Sequence, residues 1–361
     1  VGGQLGTAAW SLLAIALVLT GIGIATIHSA TAGGPTGYAL RQTAFLGVAA
    51  VAFLLAFLLE PRLLLVWSPW LYGLSLFSLV LVVAFGHQAG GATGWFRLGQ
   101  IGIQPSEFAK IATLLLLARY LGGLAPERIG VKKILGAVGI ALVPMLLISI
   151  QPDLGGAAMF VPMVATLLLV AGVQPRWMVL SLVAGITCSI LLWHYALKPY
   201  QRDRILTFLN PLHDPQGAGY QLRQAQIAVG SGQAFGRGYL QGTQSRLRFL
   251  PARHTDFILA VLAEEWGFAG VAVVFSLYAL FFTECGRVAR RARERAGLLI
   301  LAGWTSTVAF HVLYNSAMVV GLLPVTGIPL PFLSYGGSFL VANYLALGLM
   351  LSVDSRRFAN L

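Results

Sequence analysis

Residues 252–268 read "ARHTDFILAVLAEEWGF": a basic, polar stretch runs into an apolar helix with Asp256 at its mouth and Glu264 and Glu265 inside it. A second cluster, "QPSEFAK" (104–110), opens another apolar run with Glu107 and Lys110, and "QPDLGGA" (151–157) sets Asp153 between two more. The chain uses only 12 Asp and Glu in 361 residues, and charges inside or at the mouths of spanning helices are costly enough to default to function. Glu107 and Lys110 are spaced i, i+3, so they share a helix face and can pair. That pair reads as a structural salt bridge, with Ser106 capping the helix after Pro105, or as part of a site. Asp256 also reads two ways. It caps the helix through its carboxylate, or it is a general base that takes the proton of a sugar hydroxyl as that oxygen attacks an anomeric carbon. Glu264 and Glu265 follow about 12–13 Å further along the helix at 1.5 Å per residue, too deep to share Asp256's site. Pairing inside a bundle is their expected role, with proton or ion conduction as the transporter alternative.

The elements that must position these groups follow from composition. At 57% hydrophobic and 10% charged, the chain is no soluble globule, whose charged fraction is nearer one quarter. Apolar runs long enough to cross a bilayer recur near 8–27, 43–60, 64–85, 106–122, 135–151, 154–172, 177–196, 257–285, 297–323 and 331–353. The expectation is an all-α integral membrane protein of about ten transmembrane helices, forming a single polytopic domain over 1–361. One long extracellular loop, about 197–256, joins helices 7 and 8, and a broken or re-entrant segment precedes helix 10. The first run reads as a retained helix, being too long for a signal-peptide core.

Lys and Arg sort by loop. With the N-terminus in the cytoplasm, the even-numbered loops and the C-terminus carry Arg62, Arg119, Arg128, Lys132, Lys133, Arg176, the "RVARRARER" cluster of 287–295, Arg356 and Arg357. The short odd-numbered loops hold little beyond Arg41 and Arg97, which is the positive-inside pattern with both termini cytoplasmic. The net charge of +12 is therefore topological and no sign of nucleic acid. The long external loop is itself basic, which suits an anionic ligand or anionic headgroups at the membrane surface. Within it, "GQAFGRGYLQGTQ" reads as a flexible glycine-rich passage; with no strand before it, it is no dinucleotide turn. Cys188 and Cys285 fall in apolar runs as small packing residues.

Near the C-terminus, "GLLPVTGIPLPFLSYGGSF" (321–339) breaks helical structure at membrane depth, which is tolerated only where the chain is buried in protein or lines a wet cavity. His311 and Asn315 are i, i+4 in the preceding helix and are expected to make a structural interhelical contact.

Together, "GWFRLGQIGIQPSEFAK" (94–110), "QPDLGGA", "RHTDFILAVLAEEWGF" (253–268) and "NSAMVVGLLPVTGIPLPFLSYGGS" (315–338) resemble the SEDS family (shape, elongation, division and sporulation), and its RodA branch more than its FtsW branch. The resemblance implies a ten-helix glycosyltransferase that polymerises lipid II into peptidoglycan glycan strands at the outer face of the bacterial cytoplasmic membrane, working with a class B penicillin-binding transpeptidase. On it, Asp256 matches the family's essential aspartate, Glu107 and Lys110 its Glu and Lys beside the same cavity, and Asp153 the QPD aspartate. These three, Asp256, Glu107 and Lys110, are the catalytic candidates. Asp153, Arg202, Arg204, Arg246, Arg253, His254, Trp95 and Ser334 are the substrate-binding ones. A divalent cation, Mg or Mn, is the one cofactor the leaving diphosphate invites, with no metal ligand assigned. Expected partners are lipid II, the transpeptidase and membrane lipids. Gly94, His311 and Phe339 depart from the family's common Arg, Gln and Ser. A lipid flippase, with Glu264 and Glu265 as its best support, and a non-catalytic scaffold for the transpeptidase are the alternatives.

Overall fold

The computed structural model describes residues 7–32, 37–89, 92–98, 101–124, 129–177, 217–247 and 249–356, with scattered positions between 179 and 214. In chain order the elements are α1 (Thr7–Thr31), α2 (Tyr38–Leu58), α3 (Pro61–Phe85), β1 (His87–Ala89), β2 (Ala92–Leu98), β3 (Ile101–Ile103), α4 (Pro105–Gly122), α5 (Val131–Ile150), α6 (Leu154–Ala158), α7 (Phe160–Val170), α8 (Ala218–Ser231), α9 (Thr243–Arg246), α10 (Ile258–Arg291), α11 (Arg295–Val319) and α12 (Gly337–Ser355). Seven of them, α1, α2, α3, α5, α10, α11 and α12, are long and apolar enough to cross a membrane. The expected spans at 106–122 and 154–172 are α4, which carries three charges, and the broken pair α6–α7. The one at 177–196, with Cys188, lies largely outside the described residues; Cys285 is buried with a free thiol.

Burial separates the helices. α4, buried on almost every face, and α12 lie at the centre, while α2 and α3 turn rows of Leu, Val, Phe and Trp outward. A helix apolar all round belongs in the interior, and an outward apolar row belongs against lipid. The chain is a multi-pass membrane protein. α2 packs on α12, α3 on α4, and α11 on α7 and α4. Because lipid tails are as apolar as leucine, such contacts depend on close fit, and small residues supply it. A Cβ on Gly348 would stand 2.4 Å from the Phe53 carbonyl oxygen of α2.

Two features depart from the expected all-helical reading. β1, β2 and β3 form a small antiparallel sheet, with His87 opposite Trp95 and Arg97 opposite Gly102. β1 and β3, at three residues each, are too short to show a period of two, and without them the seven-residue β2 has no partner legible in the sequence. The second departure is at Gly267, where φ 64° and ψ −163° break α10 into a short arm, 258–266, and a long helix, 268–291. The glycine-rich passage is docked on that break. Arg237 and Gly238 N–H donate to the Glu264 and Glu265 carbonyls (3.0 Å each), and Phe268 and Ala269 N–H donate back to Gln233 and Ala234 (2.8 and 3.0 Å). A Cβ on Gly267 would lie 2.3 Å from the Gly236 nitrogen, and one on Gly236 2.1 Å from the Glu265 oxygen. The glycines read as flexibility are what allow two backbones to touch.

Candidate functional site

One cavity of about 930 Å³ gathers the candidate residues. β2 contributes Trp95 and Arg97, the start of α4 Gln104, Glu107 and Lys110, and the α5–α6 junction Asp153. Residues 254–256 bring His254 and Asp256, α2 brings Tyr38 and Arg41, and the non-helical 320–336 segment forms the remaining wall through Val325–Pro329 and Tyr335.

Glu107 sits in the first turn of α4, where the helix dipole favours an anion, and Pro105 occupies the first helical turn, where no N–H is needed. Its carboxylate pairs with Lys110 at 2.8 Å, with the two side chains 7% and 2% exposed. Lys110 also lies 5.8 Å from the centroid of the Phe339 ring, which packs against His311. His311 Nδ1 lies 2.8 Å from the Thr307 carbonyl, so Nδ1 carries the proton and Nε2 is the acceptor. The expected Ser106 cap is not formed: Gln104 is the N-cap residue, and the Ser106 hydroxyl is buried inside the first turn.

Asp153 is a working N-cap. One oxygen accepts Gly156 N–H at 2.7 Å, and the other accepts the Gln104 amide at 3.3 Å. Asp256, by contrast, does not cap α10; the N-cap residue there is Phe257, with no side-chain cap. Thr255, Asp256 and Phe257 N–H all converge on the Ala252 carbonyl, so the aspartate lies on a tight turn. Asn315 donates to the Asp256 carbonyl and to Ile328 O, both at 2.7 Å; neither partner lies in a helix, so the contact joins a turn and the broken segment rather than two helices.

Polar groups of the broken segment are met by side chains from its neighbours. Tyr278 donates to Pro331 O, Tyr314 to Pro324 O and Gln42 to Ser334 O, and Gln42 accepts Gly336 N–H. Irregular backbone at this depth survives only when so satisfied. At the rim, Tyr38, His254 and Tyr335 pack together, tilted or edge-on, with centroids 4.6–5.6 Å apart. Burial, aided by Arg253, holds the His254 imidazole below its ordinary pKa.

The cavity unites Trp95, Glu107, Lys110, Asp153, His254 and Asp256, as the sequence led us to expect. Others lie elsewhere. Arg253 donates to the Ala30 carbonyl at 2.5 Å, at the C-terminal end of α1. Ser334 supports the turn behind Asp256, donating to Thr255 O at 2.6 Å and accepting Leu330 N–H at 2.8 Å. Arg202 is not on the cavity wall, Arg246 ends the short helix α9, and Arg204 falls outside the described residues. Among the described residues, the lysines and arginines on the wall are Arg41, Arg97 and Lys110. Arg41 and Arg97 were legible as the two arginines that stand against the positive-inside sorting.

Glu264 and Glu265 keep out of the cavity and are paired inside the fold, the structural role expected of them, although α10 breaks just beyond them. Glu265 accepts the Ser29 hydroxyl of α1, next to the Ala30 that holds Arg253. Glu264 accepts the Thr243 hydroxyl (3.0 Å) and Gln244 N–H (2.9 Å). The break at Gly267 keeps them beside the residues 232–244 that they anchor.

The model of the FtsW/RodA/SpoVE cell cycle proteins matches residues 4–358. The peptidoglycan glycosyltransferase MrdB of Escherichia coli K12 is 38% identical over 352 residues, covering 96% of this chain and 93% of the relative. The peptidoglycan glycosyltransferase RodA of Treponema pallidum is 34% identical, covering 96% and 97%. A chain of a solved peptidoglycan synthase complex, described as coordinating polymerization and crosslinking, superposes with TM-score 0.85 at 33% identity over 97% of this chain and 98% of that one. The rod shape determining protein RodA of Thermus thermophilus does so with TM-score 0.73 at 29% identity, over 97% of each.

Proposed function

The chain belongs to the FtsW/RodA/SpoVE family of cell cycle proteins, and from this we propose that it is a peptidoglycan glycosyltransferase polymerising lipid II at the outer face of the bacterial cytoplasmic membrane, with both termini in the cytoplasm. The observation that carries the reading is a cavity whose wall holds a carboxylate on a fixed turn, Asp256, together with the cations Arg41, Arg97 and Lys110. That arrangement suits a reaction in which an alcohol loses a proton while a diphosphate gains charge.

Asp256 takes the proton of the acceptor's GlcNAc 4-hydroxyl as that oxygen attacks the anomeric carbon of the growing chain's MurNAc. The new C–O bond forms as the bond to undecaprenyl diphosphate breaks. Charge then builds on the departing phosphate oxygens, where Arg41, Arg97 and Lys110 stabilise it. Glu107 balances the buried Lys110 and holds its ammonium in place. Asp153, already a helix cap, orients substrate from the α6 side. Among the described residues no group of three or more His, Cys, Asp or Glu is set to hold a metal. A hard divalent cation, Mg or Mn, fits here only with substrate phosphates among its ligands, beside Asp256 or Asp153, where it would neutralise phosphate charge. The transpeptidase partner belongs to the same proposal, supported by the synthase complex that the chain resembles. The flippase alternative loses its best support, since Glu264 and Glu265 serve the fold of residues 232–244.

The test is glycan formation from labelled lipid II by the purified protein with its transpeptidase, comparing wild type with Asp256→Asn. A polymer ladder that vanishes in a folded, partner-binding mutant is the expected result. No ladder from either, with lipid II crossing liposomes only when the protein is present, would replace the reading with a flippase.

A further inference from the structure

Three consecutive backbone carbonyls carry the turn that bears Asp256, and each is held by a group from the C-terminal part of the chain. His254 O accepts Tyr335 N–H at 2.9 Å, Thr255 O accepts the Ser334 hydroxyl at 2.6 Å, and Asp256 O accepts the Asn315 amide at 2.7 Å. Asn315 is fully buried, and its second amide hydrogen goes to Ile328 O, also at 2.7 Å. An NH₂ group has two donors, so both are spent, one on the turn that bears Asp256 and one on the broken segment. Two carbonyls can be bridged only by the nitrogen end, which fixes the orientation of the amide. Its oxygen, Oδ1, is buried with no hydrogen-bond partner among the described residues. A buried amide that leaves its acceptor unmet is retained at a cost, so its donors must matter to the arrangement they hold.

The backbone on the other side of this bridge lies directly against the carboxylate. A Cβ placed on Gly327, the residue before Ile328, would stand 3.6 Å from Asp256 Oδ2. The broken segment and the base therefore move as one body through Asn315. We infer that Asn315 is a positioning residue for Asp256, seconded by Ser334, and that the broken segment exists in part to present the base to the acceptor. This rests on the reading of Asp256 as the base. Asn315 touches neither substrate nor reacting atoms.

The test compares Asn315→Leu, close in volume but without donors, with wild type and Asp256→Asn, all with the transpeptidase and labelled lipid II. Rates are counted per lipid II-binding molecule. A misplacement of about 1 Å costs on the order of 100-fold, so kcat should fall by about 10- to 100-fold with KM for lipid II held near wild type. The solvent deuterium isotope effect on kcat should rise, because proton transfer becomes more limiting. Ser334→Ala should show the same pattern more weakly, and it carries the test if Asn315→Leu does not fold. An unchanged kcat per binding molecule, or a loss in KM alone, would overturn the inference while leaving the base reading intact if Asp256→Asn is inactive. Should Asp256→Asn stay active, it is the base reading that falls, and this inference with it.

Discussion

Asp256 and the Glu264–Glu265 pair lie within ten residues of one another in one segment and carry the same functional group. Asp256 sits on a tight turn, lines the cavity and has its backbone clamped from three sides. The glutamates are almost fully buried, and one oxygen of each carboxylate and both backbone carbonyls are taken up by Ser29, Thr243, Gln244 and the glycine-rich passage. What separates them is backbone geometry. One glycine in a left-handed conformation, Gly267, ends the short arm of α10 and lets residues 232–244 close over the glutamates. A carboxylate next to an apolar run is thus reactive or structural according to what the chain folds against it.

The largest effect that would sharpen this contrast is in the rate. Asp256→Asn should lower glycan synthesis by about 10²- to 10⁴-fold, the usual contribution of a general base, as read from initial rates of the polymer ladder. Glu264→Gln and Glu265→Gln should leave the rate per folded molecule near wild type; a collapse equal to that of Asp256→Asn would erase the distinction.

Next in size is the buried ion pair. Lys110→Met strands the Glu107 charge and should cost about 3–5 kcal/mol of stability, along with activity. Adding Glu107→Gln should restore much of the thermal stability but not the rate, if Lys110 serves the diphosphate. Recovery of both would make the pair purely structural.

Below that comes the choice of arginines. Arg41→Gln and Arg97→Gln should each remove a charged contact of about 1.5–3 kcal/mol, seen as a roughly 10- to 100-fold fall in kcat/KM for lipid II. Arg253→Gln should act on stability instead. The reverse result would return the diphosphate to the long loop.

The smallest effect concerns pH. The His254 pKa is lowered in the folded state, so the unfolded chain binds this proton first, and stability falls as pH drops below about 6.5 toward the folded value. His254→Gln should flatten that part of the thermal stability profile between pH 7 and 5.

The sequence alone determined that this is a polytopic membrane protein, because apolar runs and loop charges are set by local composition. It also marked Asp256, Glu107, Lys110 and Asp153, because a charge near apolar helices stands out against its surroundings, and it placed the broken segment through its prolines and glycines. Only the tertiary structure decided which basic groups share the cavity. Arg41 and Arg97 stand out in the sequence only as exceptions to the loop sorting; they are more than 50 residues apart, and nothing along the chain says that they, rather than Arg202 or Arg253, meet at one cavity. The same holds for Ser334, which supports the turn behind the base, and for the partners that Glu264 and Glu265 find in Ser29, Thr243 and Gln244. A glycine at position 267 is legible as a residue, but the φ it adopts is fixed by the backbone of residues 232–238 packing against it. Such contacts depend on distance in space, which spacing along the chain does not carry.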